Sequence, residues 1–226
     1  MICDSDSFTY TPYIDSRGES GWSGQLLLAT DKDGKRYLVK HAEKKDISNE
    51  YLDHAFAKKV GVPTSDAILI RSSSAKSPFK LPVAVGIAYE EDFRRFNADL
   101  LVGTERYPDS HPYTLDFFRQ MGFRYMISLD DNIQVAVARG RLISFDYAES
   151  FLALNSWMIR HGYEAVLEVM RRKDSIPLLD AYLESVYNYA VPEKEIVELE
   201  SLGYTTGYYR RYFDGLSKIV DELTKE

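Results

Sequence analysis

Cysteine is nearly absent from this 226-residue chain, with Cys3 its single example. One thiol cannot close an intramolecular disulfide, and no Cys/His spacing fits a structural zinc site, so a reducing, cytoplasmic setting is expected. Long hydrophobic runs are missing as well: no segment approaches the ~20 apolar residues of a membrane helix. The opening MICDSDSFTY has no basic region followed by an apolar core, so no secretory leader is expected. Basic charge is in deficit. The 28 Lys and Arg face 35 Asp and Glu, for a net charge of -7 and a pI near 5.2. Without a basic footprint, nonspecific binding to nucleic acid or to an anionic membrane surface is not expected. Repeats are absent and low complexity is confined to Ser72-Ser73-Ser74, which reads as a loop. Oligomeric state leaves no trace in the sequence.

What is present suffices for a core: 45% of residues are hydrophobic, enough for one sizeable domain or for two small lobes sharing a cleft. The 17 tyrosines crowd toward the C-terminal half, as amphipathic packing at helix surfaces would place them. The most informative stretch is Ser128 to Phe151, SLDDNIQVAVARGRLISFDYAESF. Ile133, Val135 and Val137 alternate, and Leu142, Ile143 and Phe145 follow across Ala138-Arg139-Gly140-Arg141, which is the pattern of a β-hairpin closed by a Gly-containing turn. Pairing the arms brings Asp130-Asp131-Asn132 and Asp146 to the same open end. An Asn amide oxygen and a carboxylate are the hard oxygen donors that Mg²⁺ takes one or two at a time, leaving its other positions to water and phosphates.

Earlier in the chain, Ser16 to Gly24 (SRGESGWSG) reads as a flexible turn between Thr9-Tyr10-Thr11 and a strand at Gln25 to Ala29. Its small residues Ser20, Gly21, Ser23 and Gly24 let backbone N–H groups approach an anion closely. Asp31-Lys32-Asp33-Gly34 is a turn, and Arg36 to Lys40 returns as an antiparallel strand in which Leu38 and Lys40 share one face. A lysine on a leucine's face must snorkel or pair. The candidate partner is Glu50, in the first turn of a helix that opens at Asp46 with Ser48 or Asn49 as N-cap and stops at Gly61. Tyr51, Leu52, Ala55, Phe56 and Val60 make its apolar face. Strands follow at Asp66 to Ile70 and Pro82 to Tyr89, and the composition shifts at Glu90-Glu91-Asp92. A helix from Tyr113 presents Leu115, Phe118, Met121, Gly122 and Tyr125. Beyond the hairpin, helices are expected over 151–173, 176–190, 193–202 and 208–224, with Trp157, Val166, Val169 and Met170 in a bundle core and Arg171-Arg172-Lys173 as a solvated end. Tyr208-Tyr209-Arg210-Arg211-Tyr212 reads as a packing surface. The four histidines, His41, His54, His111 and His161, have no metal-like spacing and read as structural or exposed.

The segment from Asn132 through Val135, the turn and Ile143-Ser144-Phe145-Asp146 resembles the Asn-to-Asp metal hairpin of the protein-kinase-like superfamily, most closely its phosphoinositide-kinase and HipA-type branches. The YLVK strand, the NE-YL helix start and the Gly-Val-Pro helix end resemble the HipA type. The resemblance covers roughly the first two-thirds of the chain. It implies an α+β, two-lobed fold, with a small N-terminal antiparallel sheet plus helix in residues 1–90 and a mainly helical lobe in 91–226 carrying the hairpin at 128–151. It further implies an ATP- and Mg²⁺-dependent kinase of HipA-like serine/threonine type. Lys40, paired to Glu50, would hold the α- and β-phosphates, the glycine-rich loop would cover them, and Ala88 and Tyr89 would meet the adenine through backbone groups. Asn132 and Asp146 would bind the metal. An acidic protein would meet ATP through such a local basic site and a metal. A protein hydroxyl is the expected acceptor, although lipid and small-molecule kinases share this half of the site.

The catalytic loop departs from the family. A DRHxxN or DDHxxN pattern would put the catalytic Asp several residues before the metal-binding Asn, and counting back from Asn132 reaches Ile127. Either the loop is shortened, so that Asp130 or Asp131 orients the acceptor, or Asp130-Asp131-Asn132 occupies the place of DDH and the metal-binding Asn is missing. The spacing from Asn132 to Asp146 favours the first. The second would make the chain a pseudokinase, a nucleotide- or partner-binding module without transfer. After Asp146, Ala148 replaces the glycine of the kinase DFG triplet, and Glu149 offers a further carboxylate.

Overall fold

The computed structural model describes residues 1–13, 26–41, 43–73, 77–79, 81–96, 112–129, 135–144, 147, 150–151, 154, 159–160, 163–164 and 176–225. Among these, the strands are β1 (Ile2–Asp4), β2 (Phe8–Pro12), β3 (Leu27–Asp31), β4 (Arg36–Lys40), β5 (Ala67–Arg71), β6 (Val83–Ala88), β7 (Arg94–Phe96), β8 (Val135–Ala138) and β9 (Arg141–Ser144). The helices are α1 (Lys44–Lys59), α2 (Thr114–Met126), α3 (Ile176–Tyr187), α4 (Glu193–Ser201) and α5 (Gly207–Leu223).

Six strands form one sheet in the order β1-β5-β6-β4-β3-β2. The sequence suggested a small antiparallel sheet, but β1 adds a parallel edge strand, with Ile2 opposite Leu69. Only the short 3-10 turn Ser5–Ser7 separates β1 from β2, which sit on opposite edges. So few residues span only about 10 Å, so the sheet must curl until its edges approach. Alternation along β6 fits that curl. Val83, Val85 and Ile87 face outward to the helices, while Ala84 and Ala88 join Leu27, Ala29, Tyr37, Val39, Ile68, Ile70 and Phe79 in the inner cluster. A side chain at Gly86 would meet Ile68 and Ile70 at 3.1 Å, so the concave side is filled by small residues on this strand.

On the convex side, α1 packs against β5 and β6. Its apolar residues belong to one continuous cluster that runs through α2, the β8–β9 hairpin and α3 to α5. The helix starts earlier than its sequence suggests, at Lys44 after Glu43, so neither Ser48 nor Asn49 is the N-cap. Ser48 Oγ instead donates back to the carbonyls of Lys44 and Lys45, at 3.2 and 2.9 Å, as hydroxyls inside helices do. Glu50 consequently lies beyond the first turn. Gly61 ends the helix with φ +84°, as expected.

α2 leads into the hairpin and buries Phe118 and Gly122, with Met121 and Tyr125 packed partly against the core, as its spacing suggested, but Leu115 is 41% exposed while Phe117, Phe123 and Met126 are buried as well. The pull comes from Asp116, which is buried and accepts two bonds from Arg141 (2.8 and 2.7 Å), one from Arg119 (3.0 Å) and one from the Leu142 amide (3.1 Å). A carboxylate shared by two guanidiniums fixes the rotation of α2 against β9. The hairpin register pairs Val135 with Ser144 and Ala138 with Arg141. Arg139 and Gly140, at φ +51° and +69°, make the two-residue turn that matches strand twist. β7 adds a third strand beside β8 that the sequence did not announce. Nothing lies within 4 Å of where a Cβ on Gly140 would sit, so Gly140→Ala isolates the backbone term. It is expected to lower unfolding stability by about 1 kcal/mol in urea titration.

The three C-terminal helices match their sequence-derived spans to within a few residues. Tyr209 and Tyr212 are buried in α5, and Arg210 pairs outward with Glu193 and Glu200, so the Tyr/Arg cluster is a packing surface. Most of the helix expected over 151–173, including Trp157, Val166, Val169, Met170 and Arg171 to Lys173, lies outside the described residues. No helix among the described residues is long and apolar enough to cross a membrane.

Candidate active site

Alternation in β4 sends Tyr37 and Val39 to the concave cluster, leaving Leu38 and Lys40 on the side of α1. There Lys40 Nζ donates to Glu50 Oε1. Glu50 is fully buried, whereas the lysine side chain keeps 20% of its surface exposed. An ammonium tethered by a buried carboxylate yet still open to solvent can neutralise an incoming anion without itself being lost to the core. The same Glu50 oxygen accepts the Tyr147 backbone N–H at 3.2 Å. That amide is the covalent link between Tyr147 and Asp146, so the strand lysine, the helix glutamate and the chain segment that follows the hairpin meet at one carboxylate.

Of the other residues that the sequence singled out, Ser20, Gly21, Ser23, Gly24, Asp130, Asp131, Asn132 and Asp146 lie outside the described residues. Ala88 and Tyr89 stand at the end of β6. Their N–H groups donate to Asp66 O (2.8 Å) and Arg36 O (2.9 Å), within the sheet. Contacts from these two residues to a base would have to run through their carbonyls. The Tyr89 ring carries the Arg36 guanidinium at 5.0 Å and meets Tyr13 edge-on at 6.0 Å.

The sequence did not announce how polar the interior of α1 is. Ser48, Asn49, Glu50, Asp53 and His54 are all buried. Asn49 Nδ2 donates to the Ser150 carbonyl at 2.8 Å, and Asn49 Oδ1 accepts from Tyr209 OH at 2.7 Å, so one amide joins α1 to the segment after the hairpin and to α5. Ser150 Oγ donates to Asp53 Oδ2. His54 Nδ1 lies 2.6 Å from Thr64 Oγ1 and 3.1 Å from the Ser65 carbonyl, while its Nε2 lies 3.6 Å from Glu50 Oε2. Its ring meets Tyr147 edge-on at 5.0 Å. The i, i+3, i+4 spacing of Glu50, Asp53 and His54 was readable as one helix face. That the face turns inward was not, because its partners come from residues 147, 150 and 209.

The two buried carboxyls are pushed apart. Burial alone would raise Glu50, but the Lys40 charge, with His54 close by, outweighs it and holds the group down to about 2. Glu50 therefore contributes stability above its unfolded value of 4.5 that is lost as pH falls from there toward about 2. Asp53 goes the other way. Desolvation raises it well above 3.8, the Glu50 charge adds to this, and the Ser150 hydrogen bond only partly opposes it. The folded state keeps the Asp53 proton where the unfolded chain has released it, so above pH 3.8 stability falls as pH rises. Asp53→Asn removes that proton linkage and retains an oxygen for Ser150. Thermal unfolding across pH is expected to give the variant a higher Tm than the parent at neutral and alkaline pH, with the difference shrinking on acidification.

A curled sheet flanked by one helix, a polar ion pair beneath it and a helical remainder define a protein-kinase-like α+β fold. Among solved structures, the chain is similar to the Helicobacter pylori proinflammatory kinase CtkA, with a TM-score of 0.55 and 12% identity over 93% of this chain and 91% of that one. Weaker likenesses, both at TM-score 0.46, are to the Golgi casein kinase (11% identity, 90% of this chain and 70% of that one) and to its structure with Mn/ADP bound (12%, with the same coverage). Only the first bears on the fold. In sequence, the chain matches no family model and no curated protein.

Proposed function

We propose that the chain is an ATP- and Mg²⁺-dependent phosphotransferase of the HipA-like kind, moving the γ-phosphoryl group to a hydroxyl of a protein. The observation that carries the reading is the Lys40–Glu50 pair, with Glu50 also bonded to the amide between Asp146 and Tyr147. This is the lysine–glutamate arrangement that positions phosphates in kinases. In this reading residues 1–90 hold the nucleotide and 91–226 the acceptor. Lys40 binds the α- and β-phosphates, and Glu50 orients Lys40. The backbone around Ser20, Gly21, Ser23 and Gly24 covers the phosphates. Asn132 and Asp146 supply the oxygen donors that suit Mg²⁺, which would neutralise charge on the phosphates. Asp130 or Asp131 orients the acceptor hydroxyl and takes its proton as the acceptor oxygen bonds to the γ-phosphorus, the bridging oxygen bond breaks and ADP departs.

The test has two arms. Mg²⁺-ATP is expected to raise the Tm, and γ-labelled ATP to pass label to the chain itself or to a generic protein. A shift without transfer, unchanged by Asp130→Ala and Asp131→Ala, would make the chain a nucleotide-binding pseudokinase. The absence of any shift would leave a partner-binding scaffold. Label appearing from the adenine rather than the γ-position would mean that AMP is the group moved.

A further inference from the structure

We propose that three tyrosines of α5 are positioning residues of this site: the hydroxyls of Tyr208 and Tyr209 hold the segment that leaves the hairpin, Tyr147 to Phe151, against Glu50, and Tyr212 holds the segment that enters it. The inference rests on the phosphotransferase reading above and gives the C-terminal helix control over transfer.

Phe151 has φ +53°, a left-handed conformation that a bulky residue rarely adopts. Such a residue persists only where its surroundings over-determine it. Here its N–H, its carbonyl and its ring are all engaged. The N–H donates to the Ile127 carbonyl at 2.9 Å, and the carbonyl accepts from Tyr208 OH. The buried ring meets Tyr209, Tyr212 and Phe213 of α5 edge-on, with centroids 5.7, 5.0 and 5.6 Å away. The preceding residue is tied to the same helix through α1. Tyr209 OH donates to Asn49 Oδ1 at 2.7 Å, and Asn49 Nδ2 donates to the Ser150 carbonyl at 2.8 Å.

From Ser150 the connection continues inward. Its N–H donates to the Tyr147 carbonyl at 3.0 Å, and the Tyr147 N–H is the group that reaches Glu50 Oε1. A continuous run of bonds therefore joins α5 to the carboxylate that holds Lys40. At the entry, Tyr212 OH donates to the Met126 carbonyl at 2.8 Å and lies 2.9 Å from Ser128 Oγ. Ser128 also has a positive φ, +50°, at the end of α2 where glycine is usual. Because Phe151 N–H bonds the Ile127 carbonyl, entry and exit form one neck, and that neck is seated on α5. Packing alone is served by rings, and phenylalanine would supply them. Each of the three hydroxyls instead ends on the neck or on the Asn49 amide that leads to it. In the phosphotransferase reading the residue joined to Tyr147 is the Asp146 carboxylate, so its placement relative to Lys40 is set from α5.

The test sets the double variant Tyr208→Phe with Tyr209→Phe, which keeps both rings and removes both hydroxyls, against Tyr189→Phe. The latter removes a hydroxyl that donates to the Phe213 carbonyl at 2.8 Å, away from the neck. In the double variant, kcat for transfer from Mg²⁺-ATP is expected to fall by roughly 10²-fold. KM for ATP, set by Lys40, is expected to stay within about twofold of the parent. Exchange of the Phe151 amide hydrogen, followed by NMR, is expected to quicken by about tenfold. Tyr189→Phe is expected to lower Tm and leave kcat and KM of the folded chain unchanged. A parental kcat in the double variant, a loss that follows only the unfolded fraction, or an equal loss in Tyr189→Phe would overturn the proposal and leave the tyrosines as packing. Where the double variant fails to fold, the parent decides: its Phe151 amide is expected to exchange as slowly as the α5 amides, and exchange at the rate of a free loop would overturn the proposal. A parent that neither binds nor transfers removes the phosphotransferase reading instead, while the amide rates still decide whether α5 holds the neck.

Discussion

Replacing Lys40 by methionine is expected to lower γ-phosphoryl transfer by about 10³-fold, the scale on which a preorganised charge at a transferring group acts. It is expected also to lower stability by about 3 kcal/mol, because Glu50 is fully buried and without its lysine must either strand an anion or take up a proton in the core. The two losses separate in the double variant. Lys40→Met with Glu50→Gln removes the stranded anion, so stability returns toward the parent while transfer stays low. Chemical denaturation alongside label transfer distinguishes the cases. A Lys40→Met chain that transfers at the parental rate would remove Lys40 from the site, and a double variant that regains transfer would make the pair purely structural.

The second large effect concerns the helical half. Gly122 sits where α2 crosses α3, and a Cβ built there would lie 2.0 Å from the Tyr182 carbonyl oxygen, a backbone atom that cannot rotate aside. The Gly122 carbonyl in turn accepts from Tyr163 OH at 2.8 Å. Tyr182 and Tyr163 are themselves buried, with ring centroids 5.0 Å apart. Gly122→Ala must therefore separate two helices or unstack this aromatic layer, and a loss of about 3 kcal/mol in unfolding stability is expected. A change within about 0.5 kcal/mol, the size of an ordinary surface substitution, would mean that α2 and α3 do not approach this closely.

Period-two patterns reported the sheet well. β4 runs from Arg36 to Lys40 as its alternation suggested, and β6 falls within the apolar run from Pro82 to Tyr89. What alternation could not convey was the parallel edge made by β1, because a three-residue strand carries almost no pattern and its partner β5 lies more than sixty residues away in sequence. Helical periodicity served α3 to α5 and found the apolar residues that α1 and α2 bury, Tyr51, Leu52, Phe56 and Phe118 among them, but it was incomplete. It sought an apolar stripe, whereas α1 also buries Asn49, Glu50, Asp53 and His54, and α2 turns Asp116 inward and leaves Leu115 exposed. Polar groups are buried where distant partners satisfy them, and Tyr147 lies 97 residues from Glu50. Lys40 and Glu50 could be paired on paper because a strand lysine on a leucine's face needs a counter-ion and the following helix offers one. His54, which reads from sequence as structural or exposed, is buried among Thr64, Ser65, Glu50 and Tyr147, a setting that no spacing in the sequence announces.

The account comes to its sharpest point in crystals grown with a non-hydrolysable ATP analogue and Mg²⁺. Lys40 Nζ is expected on α- or β-phosphate oxygens while still held by Glu50, with one metal ion bound by the Asn132 amide oxygen and the Asp146 carboxylate. A nucleotide bound away from Lys40, or Lys40 and Asp146 facing no common cavity, would contradict it.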